Sequence, residues 1–357
     1  MSTLVETQPV WLFGARGMLA GEFLRLLGGH PGFHMAGAVS RTPGALSAAH
    51  PQLGTDAHTC TPDEAQAAIV DCAQSGGHPL IVFGLPHGES ANAWLKLQEQ
   101  LGAAAESVSV IDLAADFRLK DPALYAATYG REHPAPAELA QFVYGLPEFA
   151  RESIAGATRV AAPGCFATAL QLAVLPAANA GLLNGAQPWI LNAVTGSSGS
   201  GNKPQPGTHH PHRNGNYKAY SLGGHRHEAE LAQALGDMDA PLYFLPHSGP
   251  FARGIHLTAS LPLEQVVSTE DALATYASAY ASEPFVEVLE QGVPELRTIV
   301  GSNRASLAVH VRGEVLTVLL SLDNIVKGGA GQALQCMNLM QGMPETWGLP
   351  VAGMGTA

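Results

Sequence analysis

Residues 9–21 read PVWLFGARGMLAG. The apolar run 9–13 predicts a buried strand, and the glycines that follow predict a tight turn into a helix at Glu22–Leu27. A strand, a glycine turn and a helix in this order are typical of the βαβ unit of a doubly wound sheet. Further strands of this sheet are predicted at His34–Ser40, Leu80–Leu85 and Ser109–Leu113. Strands that alternate with helical segments favour an α/β fold with a parallel sheet.

The pattern changes in the second half of the chain. A short strand is predicted at Arg159–Ala162 and a helix at Phe166–Ala180. Residues 195–216 are dense in Gly, Ser, Asn, Pro and His, which predicts a long irregular segment of the kind that often carries function. Strands of a second sheet are predicted at Ile255–Leu263 and Leu307–Leu322, and a last helix is predicted at Gln332–Gln341.

The composition limits the class of protein. The chain has 357 residues, more than a single hydrophobic core usually holds, so we expect two domains. Its formal net charge of −12 argues against nucleic acid or an anionic membrane as the main partner. The apolar runs are too short to cross a bilayer, residues 1–10 do not resemble a signal peptide, and the four cysteines are too sparse for a disulfide framework. These features predict a cytoplasmic globular protein, and we expect an enzyme.

The glycine turn indicates a dinucleotide site, although such turns also join strands to helices without binding anything. Glycine lets the backbone approach a phosphate, and the start of a helix supplies N–H groups and the positive end of its dipole. The predicted contacts are Gly14, Ala15, Arg16, Gly17, Met18 and Leu19. Ser40 and Arg41 end the second predicted strand, where an acidic residue would suit NAD. A hydroxyl and a guanidinium there suit a 2′-phosphate, so NADP(H) is the predicted cofactor.

Cys165 is the candidate nucleophile. It follows Pro163-Gly164 and precedes an apolar helix, whose dipole would stabilise a thiolate. The segment Gly224-His225-Arg226-His227 supplies two histidines, and their spacing of two residues means that one of them faces the thiol. We predict His225 as the base and Glu230 as its electrostatic partner, while the spacing leaves the choice between His225 and His227 open.

Basic side chains are the candidates for recognising a phosphate or a carboxylate. Guanidinium groups match such oxyanions in a bidentate manner. The candidates are Arg118, Lys203, Arg226 and Arg253. Five histidines lie between positions 209 and 227, but their spacing matches no standard zinc pattern, so no metal site is predicted.

An ordered set of short motifs resembles one family over nearly the whole chain. The motifs are GARG at 14–17, LPHG at 85–88, DLAADFRL at 112–119, YGLPE at 144–148, PGCFAT at 163–168, GSSGSG at 196–201, GHRH at 224–227 and LDNIVKGGAGQ at 322–332. Together they are similar to the N-acetyl-γ-glutamyl-phosphate reductases, relatives of aspartate-semialdehyde dehydrogenase. Phe166 stands where tyrosine is usual, and Ala20 replaces one glycine of the cofactor turn.

The resemblance implies a fold and an assembly. The fold is α/β, with a Rossmann-like doubly wound dinucleotide-binding domain (residues 1–164 with 326–357) and an α+β catalytic and dimerisation domain (residues 165–325). A homodimer or homotetramer is implied as well.

The resemblance also implies a reaction. NADPH would reduce N-acetyl-γ-glutamyl phosphate to N-acetylglutamate semialdehyde in arginine biosynthesis, with release of phosphate through a thioester on Cys165. The implied cofactor contacts include Pro86 and, at the nicotinamide end, Asn324. The implied substrate contacts are Ser197, Ser198 and Gly199.

Three alternatives remain open at this point. A sister group performs the same chemistry on an aminoadipyl or glutamyl phosphate attached to an acidic amino-group carrier protein, and the segment Thr208–Arg213 resembles it. The net charge argues against an acidic partner, whereas a basic groove around Lys203, Arg213 and Lys218 would favour one. A non-enzymatic NADP-binding redox sensor would use Cys165 as an oxidisable switch, and a metal-dependent hydrolase would lose its activity on chelation.

Overall fold

A computed structural model of the chain describes residues 7–238 and 240–355. These residues form two compact units. One unit runs to Pro163 and takes in Gly329–Leu349, and the other takes in Gly164–Gly328 and begins again at Pro350. No helix among the described residues is long and apolar enough to cross a membrane.

The first unit is built on a parallel sheet of six strands. They are β1 (Gln8–Phe13), β2 (Phe33–Val39), β3 (Leu80–Phe83), β4 (Ser109–Asp112), β5 (Val143–Tyr144) and β6 (Arg159–Ala161). Their order is β2-β1-β3-β4-β6-β5, and all neighbouring pairs are parallel. The crossovers between them contain α1 (Met18–Leu27), α2 (Leu46–Ala49), α3 (Pro62–Gln74), α4 (Ser90–Leu101), α5 (Pro122–Tyr129) and α6 (Pro147–Ala155). The predicted doubly wound sheet is confirmed.

The central strands of this sheet are covered on both faces. Every residue of β3 and β4 is buried, and so are the last four residues of β1. Side chains on both faces therefore meet apolar neighbours, which explains why these strands read as continuous apolar runs without alternation. One side of the sheet packs on a core that includes Phe13, Phe83 and Trp94.

The second unit contains a mixed sheet of seven strands. They are β7 (Trp189–Thr195), β8 (Lys218–Ala219), β9 (Leu242–Ser248), β10 (Ile255–Pro262), β11 (Val286–Val288), β12 (Ala305–Arg312) and β13 (Val315–Leu322). Their order is β11-β12-β13-β10-β7-β9-β8, with β7–β9 and β11–β12 parallel and the other pairs antiparallel. The helices are α7 (Cys165–Asn179), α8 (His210–Arg213), α9 (His227–Leu235), α10 (Thr269–Ala279) and α11 (Leu296–Ile299). The predicted α+β character of this part is confirmed.

The register of this sheet brings the ends of five strands into line, and we call this end of the sheet the aligned edge. Thr195, the last residue of β7, pairs with Ser248 of β9 and with Ile255 of β10. Ile255 in turn pairs with Leu322, and Ser248 pairs with Lys218. These residues form one row across five strands, so the loops that leave the strands here lie side by side. Buried and partly exposed residues alternate along β7 and β10, because only one face of the sheet is fully covered.

The chain then returns to the first unit. A π-helical turn at Val326–Ala330 leads into α12 (Gly331–Met340), which packs against α1 and α6. The prediction assigned all of residues 326–357 to the first domain, whereas residues 350–355 cluster with the second unit. Backbone hydrogen bonds account for the difference, since Asn303 N donates to Pro350 O at 2.7 Å and Met354 N donates to Val300 O at 2.8 Å.

Candidate active site

The turn after β1 requires glycine at position 14. Its φ is +82°, and a Cβ there would lie 2.3 Å from the carbonyl oxygen of Gly84. The N–H groups of Gly14 and Ala15 both donate to Val39 O at 3.0 Å, and Gly17 N donates to Gly14 O at 3.0 Å. These bonds place the backbone of the turn beside the end of β2.

The helix that follows is suited to an anion. Gly17 precedes α1 without a side-chain cap, and the first turn of α1, where Met18 and Leu19 lie, holds no acidic residue. The first N–H groups of a helix have no intrahelical partner, and with the dipole they favour a phosphate.

A cleft of about 350 Å³ opens beside this turn. Its lining includes five of the predicted cofactor residues, namely Gly14, Arg16, Ser40, Arg41 and Pro86. Ala15 is fully buried behind the turn. The lining is suited in its chemistry to the phosphate-bearing adenosine end of a dinucleotide.

The far end of this cleft carries positive charge. Ser40 and Thr42 bond each other in a tight turn, and Arg16 Nη1 donates to Thr42 O at 3.2 Å. Arg41 is 76% exposed and lies 3.5 Å from a carboxylate oxygen of Glu89. Such an exposed pair contributes little stability, so the guanidinium can turn toward a phosphate at small cost.

Cys165 is the first residue of α7, as its turn context predicts. Gly164 is the N-cap, and no acidic residue occupies the first turn of the helix. The helix start therefore favours the thiolate form of the half-buried Cys165 side chain. Gly328 faces this residue, because a Cβ at position 328 would lie 2.7 Å from Cys165 Cβ.

Two side chains of α9 reach the turn before Cys165. Glu230 is fully buried, and its Oε2 accepts a hydrogen bond from Gly164 N at 3.0 Å. The ring of His227 lies against the same glycine, since a Cβ on Gly164 would be 2.3 Å from His227 Nε2. The two residues are three apart on one helix and so share a face. Glu230 thus contacts the residue before Cys165 through the backbone N–H of Gly164.

His225 sits just before α9 in a different environment. Its Nδ1 accepts a hydrogen bond from His227 N at 3.2 Å, so the neutral ring carries its proton on Nε2. Burial, reinforced by the charge of Arg226, lowers the pKa of His225 to about 4. The ring also contacts Phe166 and Phe244 edge-on. At neutral pH His225 is therefore a hydrogen-bond donor through Nε2 and a poor base.

Tyr220 is a site residue that the sequence reasoning missed. Burial, and then the nearby Cys165, raise the pKa of Tyr220 to about 12. The phenol therefore stays protonated and remains a donor. Only the short distance along the chain to His225 could have indicated it.

A third group of predicted residues meets at the aligned edge of the mixed sheet. Asn324 is 3% exposed and exchanges hydrogen bonds with the Ser198 hydroxyl, at 2.9 Å from Nδ2. Its Oδ1 also accepts from Gly254 N at 2.7 Å. Ser197 N donates to Phe251 O, which ties the loop after β7 to the loop before β10.

Arg253 is bound to a buried carboxylate in this group. Its Nη2 lies 2.8 Å from Asp323 Oδ2, and Asp323 is fully buried. Asp323 Oδ2 also accepts from Gly301 N, and the backbone oxygen of Asp323 accepts from Gly328 N at 2.9 Å. Because Gly328 lies against Cys165, these bonds link Arg253, through Asp323, to the segment that contacts Cys165.

Arg118 and Arg226, the other two arginines predicted to bind substrate, differ in burial. Arg118 belongs to the first unit and is buried; its Nε donates to Ala162 O at 2.8 Å and its Nη2 to Leu113 O at 3.0 Å. The side chain thereby braces the segment that leads to Pro163, a role its sequence did not indicate. Arg226 is exposed.

Comparisons with known proteins place the chain in a family. Residues 9–157 match the family described as "Semialdehyde dehydrogenase, NAD binding domain", and residues 165–324 match "Semialdehyde dehydrogenase, dimerisation domain". Aspartate semialdehyde dehydrogenase II of Vibrio cholerae has a similar fold, with a TM-score of 0.65 at 15% identity over 94% of this chain and 98% of that one. The enzyme of Candida albicans, solved with NADP, gives 0.63 at 15% identity, covering 94% of this chain and 99% of that one. The chain belongs to the semialdehyde dehydrogenase family.

Closer relatives within this family carry one name. A protein of Nitrosococcus oceani is 40% identical over 95% of this chain and 96% of its own length, and one of Corynebacterium glutamicum is 40% identical over 98% and 99%. Both are named N-acetyl-γ-glutamyl-phosphate reductase. The resemblance stated from the motifs is confirmed, and the chain is a member of an oxidoreductase family.

Gly14→Ala is expected to damage the cofactor turn. The new Cβ would meet Gly84 O, and the positive φ adds strain, so we expect a loss of about 1–3 kcal/mol in unfolding free energy and weaker NADPH binding. Gly54→Ala is the control, because Gly54 has φ +57° but open space around its Cβ position. Thermal unfolding and NADPH fluorescence titration measure both effects. Equal loss of cofactor affinity in the two variants would contradict the assignment of the turn.

Proposed function

We propose that this chain reduces N-acetyl-γ-glutamyl phosphate to N-acetylglutamate semialdehyde with NADPH and releases phosphate. The observation that carries the proposal is Cys165 at the start of α7, with His227 and Glu230 both directed at Gly164. The relatives' name supplies the substrate, and because it specifies the N-acetylated molecule it favours this over a carrier-bound one. A redox sensor would not need a histidine and a carboxylate arranged around the helix start.

Acyl transfer to Cys165 is the first step. The thiolate attacks the carbonyl carbon of the acyl phosphate, a C–S bond forms, and the C–O bond to phosphate breaks with departure of inorganic phosphate. The product is a thioester on Cys165. The helix dipole favours the thiolate, and N–H groups at the helix start are suited to the oxyanion that develops during attack.

We assign the base to His227. Its ring lies against Gly164, next to the nucleophile, so it is placed to receive the thiol proton. The predicted base His225 has its Nδ1 occupied by a backbone N–H and holds its proton on Nε2. We therefore give His225, with the Tyr220 hydroxyl, the role of donor to the carbonyl oxygen. Glu230 acts as a positioning residue, because it holds the backbone N–H of Gly164.

When bound, NADPH would supply the hydride for reduction of the thioester to the anion of a thiohemiacetal. The donors at the helix start then balance the negative oxygen until the C–S bond breaks, which yields the aldehyde and restores the thiolate. We propose that Gly14, Gly17 and the start of α1 hold the pyrophosphate and that Ser40 and Arg41 hold the 2′-phosphate. Asn324 remains the proposed contact of the nicotinamide end.

The two units have different proposed roles. We propose that the first unit binds the cofactor, that the second carries catalysis and the dimer interface, and that the enzyme is a cytoplasmic homodimer or homotetramer. Ser197, Ser198, Gly199, Arg226 and Arg253 stay the proposed substrate contacts, and Arg118 is proposed to support the site through the segment before Pro163.

The reverse reaction tests the proposed function. We expect NADP⁺ to be reduced by N-acetylglutamate semialdehyde only when inorganic phosphate is present, because phosphate must cleave the thioester. Absence of turnover in protein that binds NADPH would refute the substrate assignment. Turnover that does not depend on phosphate would refute the acyl-phosphate chemistry.

Cys165→Ser is expected to abolish turnover and to spare NADPH binding. A serine hydroxyl is far less ionised than a thiol, so we expect a fall in kcat on the order of 10³-fold or more. Steady-state kinetics and fluorescence titration of NADPH measure the two properties. Cys60→Ser is the control, since Cys60 lies in the first unit and has its pKa raised chiefly by burial. Substantial residual turnover in Cys165→Ser would exclude the thioester route.

The two histidine variants should separate base from donor. His227→Gln removes the proton acceptor, so we expect alkylation of Cys165 by iodoacetamide at pH 7 to slow by about tenfold or more. His225→Ala removes the Nε2–H donor and should leave alkylation within about twofold, while kcat falls. The reverse ranking in a peptide-resolved alkylation assay would return the base to His225.

Arg41→Leu is expected to weaken NADPH and to leave NADH unaffected. Loss of a charge-assisted phosphate contact should raise the KM for NADPH by about 10–100-fold. Lys96→Leu is the control, because Lys96 is an exposed lysine of the same unit that pairs with Asp63. Equal changes for both cofactors would contradict a 2′-phosphate contact.

A further inference from the structure

A second, smaller cleft lies at the aligned edge of the mixed sheet. Its volume is about 200 Å³, and its lining includes Arg213, Lys218 and Ser248. Lys218 and Ser248 are register partners, and Ser248 pairs on its other side with Thr195. The cleft thus sits over the row of strand ends, where the loop 196–199 also begins. None of the residues predicted to contact the cofactor or the small-molecule substrate lines it, and Arg213 and Lys218 were expected only as part of a basic groove for an acidic partner.

Arg213 is buried here, and no carboxylate of the described residues pairs with it. It is 9% exposed; its Nη1 donates to the Ser248 hydroxyl and its Nη2 to Thr195 O at 3.3 Å. Nε has no hydrogen-bond partner among residues 7–238 and 240–355. Both observed acceptors are neutral, and a buried charge with only neutral partners is costly. An anion in the cleft would supply the missing charge and an acceptor for Nε.

A second cation faces the same space. Lys218 is exposed, and its Nζ lies 3.6 Å from the Cβ position of Gly207, so it borders the cleft from β8. The described lining consists of Pro206, Gly207, His212, Arg213, Asn216, Lys218 and Ser248. It contains no carboxylate, so two positive charges and several polar groups converge on a volume that suits a small oxyanion.

The cleft adjoins the loop that carries the proposed substrate contacts Ser197 and Ser198. Thr195, which Arg213 holds, directly precedes the loop whose Ser198 bonds Asn324. After burial, the charges that act on the pKa of Tyr220 include both Cys165 and Arg213. Tyr220 therefore lies within electrostatic reach of both groups.

We propose that Arg213 and Lys218 bind an oxyanion of the acyl-phosphate substrate, either its carboxylate or its phosphate. The assignment to a substrate group rests on the proposed function, whereas the anion site itself rests on the cleft. Bound in this way, the anion would orient the acyl group and select substrates that carry the second negative charge.

Calorimetric binding of three probes tests the proposal. They are N-acetyl-L-glutamate, its α-carboxamide and inorganic phosphate. The variants are Arg213→Met, Lys218→Gln and the control Arg312→Gln, which removes another exposed positive charge of the second unit. We expect the first two to weaken binding of one anionic probe by about tenfold or more, with Arg312→Gln unchanged. If the variants bind N-acetyl-L-glutamate more weakly but bind its α-carboxamide as well as the wild type does, the cleft binds the substrate carboxylate. If they bind inorganic phosphate more weakly, the cleft binds the substrate phosphate.

A folding control keeps the outcome interpretable. Replacing a buried charge that lacks a counter-ion should leave the melting temperature of Arg213→Met equal to or above that of the wild type. Unchanged affinity for all probes in folded Arg213→Met and Lys218→Gln overturns the anion site, even if the wild type turns over. Loss of probe binding in a protein that shows no phosphate-dependent turnover supports the anion site and refutes the proposed function instead.

Discussion

The buried carboxylate of Glu230 holds the backbone N–H of Gly164 at 3.0 Å, and the start of α7 depends on this contact. A helix start has N–H groups that need acceptors, and here a carboxylate from another helix takes the one at the N-cap. Position 164 must be glycine, because the His227 ring occupies the space of a Cβ. One residue later the chain presents Cys165, so α9 helps to position the turn that carries the thiol.

The aligned edge of the mixed sheet provides the second constraint. The row of paired residues from Lys218 to Leu322 brings the loops after β7, before β10 and after β13 together. Asp323 and Asn324 bond these loops to one another, and Gly328 brings the last of them against Cys165. Strand register thus brings together the loops that carry most of the proposed substrate contacts, and side-chain hydrogen bonds then fix these loops to one another.

Local signals explain what could be predicted from the sequence. The strands β1 to β4 are apolar runs bounded by glycine or polar residues, and Cys165 follows a Pro-Gly turn, so both were visible without an alignment. The strands β5 and β8 have two residues each and carry no periodicity. In β9, Pro246 interrupts the pattern, yet the strand forms along β7.

Side-chain roles were harder to predict because they depend on distant contacts. Glu230 was predicted as the partner of a histidine, and its contact with the N–H of Gly164, 66 residues away along the chain, could not be read from the sequence. His225 is a poor proton acceptor because its Nδ1 accepts one backbone hydrogen bond and because burial lowers its pKa. Neither feature can be read from the sequence. Arg213 lies in a polar, irregular segment, and nothing in its neighbours along the chain indicates that it is buried.

Trapping the acyl-enzyme distinguishes thioester chemistry on Cys165 from every other route. The enzyme would be mixed with N-acetyl-γ-glutamyl phosphate without NADPH, quenched in acid and analysed by intact and peptide mass spectrometry, with phosphate release followed in parallel. The account predicts a burst of phosphate stoichiometric with active sites and an N-acetylglutamyl group on the peptide that contains Cys165. A burst without this adduct, or an adduct on another residue, would contradict it.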